Sequence, residues 1–549
     1  MITGKQDVLS DLEKRVSDKI LEQSNFDLLK KLIEHADTLD EAIKIAELGT
    51  TYKRTGFHFE KRFEKQSNDI SYFKKNNALS FETAPSATTH KLIVGDNYPA
   101  LLNLLVEYKG KVDVIYIDPP YGKDSMGAFA QTNYENALTR DNLLSMLYSR
   151  LWIAKLLLSE SGAIFCSIDD RNQAYVKGLF DEVFGENNFV ANLPTIMNLK
   201  GNQDEFAFAG THEYTLVFAK NKSNATFNKF IIDEELITEE WQEDEFGYYK
   251  KGANLKSTGV NAPREKRPNL FYPIYVDGNN TISLEPKENY KELLPITNGQ
   301  EMSWRWSKEK LQHELFDIIV AGENGGTSIY KKQRPGIDEF PSAKPKTLFY
   351  KPKYSSGNGT NQLFSVMGEK LFNNPKPIDL IKDLVFISSP QKSVILDFFA
   401  GSGTTGQAVL ELNREDNGKR QFILITNNEK TDTTPNGIAI DVTSKRLKRV
   451  MTGKCYDGTS DFEWIKKNKP LGDNLLVLDI DTVSNFEAVA GKTAFDVIDE
   501  TSYGNQKFAT VKEKVEWVCD NFEITEKKCE NDDEYKKRIF GEEAQCYKK

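Results

Sequence analysis

Two stretches constrain this chain more than any others: VDVIYIDPPYGKD at 112–124 and SVILDFFAGSGTTGQAV at 393–409. Each opens as a short apolar, β-branched run bounded by punctuating residues, the signature of a strand buried in a parallel sheet. Each then turns abruptly into polar or glycine-rich sequence. Open α/β sheets hold their ligands outside the carboxyl ends of their strands, so these two turns are the candidate functional loops.

In the second stretch, Val394–Leu396 runs into Asp397, then Phe399, Ala400, Gly401, Ser402, Gly403, Thr404, Thr405 and Gly406, and a helical pattern follows through Ala408, Val409 and Leu412. Glycines at such a turn permit positive φ and let the backbone approach a ligand. The N–H groups at the start of the following helix favour an anionic or polar group. No lysine follows the last glycine, so this is not a nucleotide-phosphate loop, and the spacing is a poor dinucleotide fingerprint. Taken alone, a plain glycine-rich strand–helix turn accounts for the same residues.

In the first stretch, Asp118-Pro119-Pro120-Tyr121 follows the apolar run. Two successive prolines hold the loop extended and stiff. It presents the Asp118 carboxylate and the Pro119 carbonyl as acceptors and the Tyr121 ring as a stacking platform, which suits a planar group carrying an exocyclic amine. A rigid turn with a solvated aspartate is the plainer reading.

Together these loops resemble the motifs of amino-methylating DNA methyltransferases dependent on S-adenosylmethionine: Asp/Asn/Ser-Pro-Pro-Tyr/Phe for catalysis and Phe-x-Gly-x-Gly for the cofactor. The catalytic loop comes first, as in the permuted β class, and an aspartate in first place implies N6-adenine as the target. The chain is more specifically similar to the Mod subunits of Type III restriction–modification systems. LIVGDNYPALLNL, LLSMLYSRLWIAKLLLSESGAIFCSIDD, DEVFGENNFV, THEYTLVFAK, LFNNPKPIDLI and FILITNNEK carry that likeness over most of 90–220 and 365–450. One departure is Gly122-Lys123-Asp124 after Tyr121, where Asn-x-Gly is common in the wider class.

The resemblance implies an α/β fold with a Rossmann-like, mostly parallel sheet. It implies S-adenosylmethionine as cofactor, double-stranded DNA as substrate, a homodimer and a restriction (Res-type) subunit as partner. It implies Asp118, Pro119, Pro120 and Tyr121 as the catalytic group. By the same resemblance Asp397, Phe399, Ala400, Gly401, Ser402, Gly403, Thr404 and Thr405 are expected to hold the cofactor, with Asp96 near its adenine and Lys376 and Pro377 bordering its methionine end. Asp96 or Asn97 capping a helix explains that stretch equally well. Glu429 or Asn428, at the end of the strand Gln421–Thr426, are candidates for the ribose hydroxyls.

Length and composition bound the rest. A chain of 549 residues is too long for one core, and 39% hydrophobic with 11% aromatic residues suits a folded protein. Five cysteines without Cys-x-x-Cys spacing and five histidines without a ligand pair predict no metal. The polar, charged N-terminus predicts no secretory leader, no run is long enough to span a membrane, and a cytoplasmic location is the expectation. The net charge of −10 weighs mildly against a nucleic-acid binder, so a local basic face is required.

Read in order, residues 1–88 form a helical extension, with Leu9, Leu12 and Val16 on one helix face and Leu29, Leu32 and Ile33 on another. Lys53, Arg54, Lys61 and Arg62 interleave with aromatics. Residues 89–220 carry the catalytic half of the methyltransferase domain, including a helix over Asn142–Leu158; Asp169-Asp170 is better read as a helix cap than as an acid–base pair. Residues 221–364 lose periodicity and read as a target-recognition insert. Arg264, Lys266, Arg267, Trp304-Arg305-Trp306, Lys331, Lys332 and Arg334 lie there, followed by Lys344, Lys346, Lys351, Lys353 and Tyr354. Lysines for phosphates and aromatics for bases make the last five the DNA-binding candidates. Residues 365–453 carry the cofactor half, and 454–549 form a mixed C-terminal domain without a motif. N4-cytosine methylation on the same scaffold, and a DNA-specificity subunit without chemistry, are the alternatives.

Overall fold

The computed structural model describes residues 4–17, 21, 23–50, 69–121, 140–201, 207–231, 241–323, 326–335, 341–484 and 493–522. The chain divides into two compact units: residues 1–66, 120–152 and 169–183, and residues 67–119, 153–168 and 184–549. In the first unit, α1 (Lys5–Ser17), α2 (Gln23–His35) and α3 (Leu39–Thr50) pack around Leu9, Leu12, Phe26, Leu29, Ile33 and Ala42. Thr38 caps α3 by accepting from the Glu41 N–H at 3.1 Å. The interleaved basic and aromatic residues at 52–63, and 122–124 after the catalytic loop, lie outside the described residues.

The second unit is built on nine strands: β1 (Asp69–Lys75), β2 (Thr89–Val94), β3 (Val112–Ile117), β4 (Leu158–Ile168), β5 (Phe189–Ile196), β6 (His212–Ala219), β7 (Val394–Asp397), β8 (Gln421–Thr426) and β9 (Asn474–Ser484). Their order across the sheet is β1-β9-β2-β8-β7-β3-β4-β6-β5. The six strands from β9 to β4 run parallel, and antiparallel strands finish both edges. The central strands are apolar on both faces, as a parallel sheet requires: Val114, Ile115, Ile395, Leu396, Ile423 and Leu424 are fully buried.

From the sheet centre the chain winds in opposite directions, β3 to its neighbour β4 and β7 to its neighbour β8. The boundary between β3 and β7 is therefore a switch point, where two loops diverge and leave a crevice. The register pairs Ile395 with Val114 and Leu396 with Ile115, so Asp397 and Asp118 emerge at the same end of adjacent strands.

Two sequence expectations are corrected. Residues 474–484, expected in a separate C-terminal domain, are not apart from the main sheet: β9 lies there between β1 and β2, paired with β2 from Thr89↔Asn474 to Val94↔Asp479. LLVLDI carries no chemical motif, yet Leu475, Val477 and Leu478 have the burial of a central strand. Residues 1–88 are likewise not all helical extension, since β1 pairs with β9 along its length. The helix expected over Asn142–Leu158 is present at Arg140–Leu157 and passes directly into β4. A bulge lies near the start of β4: Val112 pairs with Leu158 but Val114 pairs with Ala163, so Ser161-Gly162 sits within the strand.

Between β6 and β7 the insert forms small antiparallel sheets. Four strands (Ile318–Glu323, Gly326–Gln333, Gly247–Asn254, Gln242–Asp244) make one and three (Ile282–Ser283, Ile274–Val276, Lys291–Leu293) another. They enclose a separate core of Leu255, Tyr272, Ile274, Val276, Trp304, Leu311 and Ile329. At its base Phe230–Ile231 pairs antiparallel with Ser342–Ala343, which brings the two ends of the insert together.

Candidate active site

The glycine loop between β7 and the helix α9 (Thr404–Asp416) is held in a conformation only glycine accepts easily. Gly401 has φ +48° and Gly403 φ +78°. A Cβ on Gly401 would lie 3.0 Å from the Phe372 ring, and one on Gly403 3.0 Å from the Thr443 methyl. Thr443 belongs to a π-helical turn, Ala439–Ser444, that leads into α10 (Lys445–Thr452), and its hydroxyl donates to the Gly401 carbonyl. The fully buried Arg446 reaches under the loop from α10. Its Nη1 donates to the Ser402 carbonyl at 3.2 Å and to Thr404 Oγ1 at 2.9 Å, and its Nε to Gln407 Oε1 at 2.8 Å. Burial lowers its pKa to about 10.

Asp397 ends β7 facing inward. One carboxylate oxygen accepts from the Phe399 N–H at 3.0 Å and the other from the Thr405 hydroxyl at 2.5 Å. Burial pushes its pKa up to about 7; these hydrogen bonds oppose the shift and the negative charge of Asp118 adds to it. The side chains of Ser402, Thr404 and Thr405 are buried in the loop's own bonding, so what they offer a ligand is backbone. Asp96, exposed at the end of β2, caps α4 (Asn97–Tyr108) through the Tyr98 N–H at 2.7 Å. Asn97 ties this loop to the glycine loop by donating to the Phe398 carbonyl at 2.9 Å. At the end of β8, the Asn428 amide is used within its own loop, bonding the Asn436 carbonyl at 2.9 Å and the Ile440 N–H at 3.3 Å. Glu429 is half-buried, and its carboxyl is pushed up to about 7 by burial.

At the end of β3, Pro119 is buried and Asp118 partly exposed. The Asp118 carboxylate meets Lys376 Nζ at 3.2 Å, and the same ammonium lies 2.8 Å from Glu213 on β6. Burial alone would lower the Lys376 pKa; the charges of Asp118 and Glu213 outweigh it and raise it. In the other unit, the Asn172 amide donates to the Tyr121 carbonyl at 2.8 Å and to Asp169 at 2.8 Å. Asp169 also accepts from the Asn172 N–H, which caps the helix Asp170–Phe184.

A family model described as DNA methylase matches residues 112–441, from the first residue of β3 to Asp441 in the π-helical turn. The chain belongs to the DNA methylase family. This DNA methylase is 38% identical over 446 residues to the Type III restriction-modification enzyme EcoPI Mod subunit of Escherichia phage P1, covering 71% of this chain and 69% of the relative. It is 30% identical to the Type II methyltransferase M.KpnI of Klebsiella pneumoniae, covering 63% and 83%. It is also 30% identical to the StyLTI Mod subunit of Salmonella typhimurium, covering 62% and 53%.

The basic residues of the DNA methylase divide sharply. Lys344 and Lys346 are exposed. Lys351 pairs with Asp383 at 3.0 Å, and Lys353 with Asp379 at 3.4 Å and Asp383 at 3.5 Å. Tyr354 is not a base-stacking platform: it is 1% exposed, stacks on Phe349 and donates its hydroxyl to Asp383. The segment docks alongside β5, with the Phe349 N–H on the Pro194 carbonyl at 2.9 Å. That pairing turns Phe349 inward and leaves Tyr350 53% exposed. Within the insert, Lys332 and Arg334 converge on Asp244, and Trp304 is core, its Nε1 bonded to the Tyr272 carbonyl.

Glu213, Thr443 and Arg446 had no signal in the sequence as site residues. Glu213 stands near the head of an apolar strand, and Arg446 belongs to a basic helix end.

Proposed function

We propose that this chain is a site-specific adenine-N6 DNA methyltransferase that uses S-adenosylmethionine and acts as the modification subunit of a restriction–modification system. The observation that carries the reading is the switch point: the Asp118 loop and the Gly401–Gly403 loop leave adjacent parallel strands at the same end, close enough for the Asp118 charge to act on Asp397.

The residues fit the cofactor. The glycine turn is a cradle that a Cβ would fill, it opens the N-terminus of α9, and acidic and amide side chains stand at the neighbouring strand ends. Bound there, S-adenosylmethionine supplies a methyl group on a sulfonium. Adenine's amino nitrogen is a poor nucleophile because its lone pair is delocalised. Asp118 and the Pro119 carbonyl accept its two hydrogens, which frees the lone pair and stabilises the positive charge that grows on nitrogen. The target base must leave the duplex to be reached, and Tyr121 is the ring it stacks on. The insert reads the sequence, with Lys344 and Lys346 on phosphates. Assembly as a homodimer with a Res-type subunit belongs to the same reading.

Asp118→Ala tests it. The variant binds S-adenosylmethionine as the wild type does, and sequencing of modified bases in host DNA finds no methyladenine. Methylation at the wild-type rate refutes the assignment, and N4-methylcytosine moves the target.

A further inference from the structure

We infer that Glu213 is a positioning residue for methyl transfer, acting through Lys376 to hold Asp118 as a charged acceptor. This rests on the reading of Asp118 as the group that receives the target amine. Lys376 Nζ meets both Glu213 oxygens, at 2.8 and 2.9 Å, and Asp118 Oδ1 at 3.2 Å. The three side chains are only 11%, 13% and 28% exposed respectively. They come from three elements: β6, the turn before the helix α8 (Ile378–Ser388), and the end of β3.

The turn is rigid. Pro375 and Pro377 flank Lys376, and the helix α7 (Ser356–Met367) presses on it so closely that a Cβ on Gly359 would overlap the Pro375 carbonyl. Lys376 is therefore a fixed cation beside Asp118.

A fixed cation next to an acceptor is a liability when positive charge must grow on the substrate nitrogen. Alone, Lys376 would neutralise Asp118. Glu213 removes that conflict by taking both a charge and two hydrogen bonds from the same ammonium, leaving the cluster with a net charge of −1. Lys376 then orients the carboxylate without cancelling it. With its charge matched on both sides by protein carboxylates, Lys376 is assigned to Asp118 rather than to the cofactor.

The test uses the full chain, tritiated S-adenosylmethionine and unmethylated genomic DNA from a host lacking the chain. Glu213→Gln slows methyl incorporation at saturating cofactor and DNA by about tenfold or more, less than the about 10²–10³ lost with a preorganised group in direct contact because Glu213 acts through Lys376, while cofactor affinity is unchanged. Glu213→Gln combined with Lys376→Gln restores the charge balance and is faster than Glu213→Gln alone, a non-additivity that lost packing does not produce. Wild-type rate in Glu213→Gln, or a double variant slower than either single one, overturns the inference. If Glu213→Gln does not fold, Lys376→Gln decides: slowed transfer with intact cofactor binding supports the role, and lost cofactor binding overturns it. Asp118→Ala runs alongside; activity there defeats the reading of the reaction itself.

Discussion

Asp397 shows what burial does to a single carboxyl. Its pKa of about 7 lies above the ordinary carboxylate value, so between the two the folded chain keeps a proton that the unfolded chain has released. Stability contributed at this position therefore falls as pH rises through that window, the reverse of a salt-bridged aspartate. Asp397→Asn removes this dependence, and its melting temperature varies less between pH 5 and about 7 than that of the wild type. At Gly403, alanine must adopt φ +78° and meets Thr443; the left-handed strain alone costs about 1–2 kcal/mol. We expect Gly403→Ala to weaken S-adenosylmethionine binding in calorimetry with a smaller loss of thermal stability, because the loop can shift where the sheet cannot.

Among the elements, the strands bearing the two motifs were legible because short apolar runs ending in Asp-Pro-Pro-Tyr or a glycine cluster combine a burial signal with a chemical one. The apolar run LLVLDI in β9 marks a strand but does not place it, since pairing partners far apart in sequence leave no local mark. Glu213 escaped for the same reason: its importance comes from what β6 sets beside it. Tyr354 was misread because basic–aromatic alternation looks alike on a DNA-facing loop and on a strand docked over a core. β9 makes a direct prediction. Leu478 is fully buried, and Leu478→Ala costs about 2–5 kcal/mol, read as a lower urea midpoint. A chain ending at residue 453 leaves β1 and β2 with unpaired edges and does not yield a cooperatively melting protein.

At the scale of the molecule, the insert carries its own hydrophobic cluster within the second unit, and its two ends meet in paired dipeptides. Replacing residues 232–341 with a short glycine–serine linker leaves cofactor binding intact and abolishes sequence-specific methylation, measured by calorimetry and modified-base sequencing. In the intact chain, Lys344→Ala and Lys346→Ala together weaken DNA binding uniformly across sequences and flatten its salt dependence. The net charge of −10 does not preclude this, because phosphate binding follows local charge and Lys344 and Lys346 are exposed.

Phe230–Ile231 and Ser342–Ala343 also have a meaning for descent. Genetic exchange with crossover points in the codons for those two dipeptides would trade one insert for another of any length, while the parallel strands that carry the crevice stay as they are. One chemical engine could thus acquire a new vocabulary in a single recombination, with no selection needed to repair its machinery afterwards.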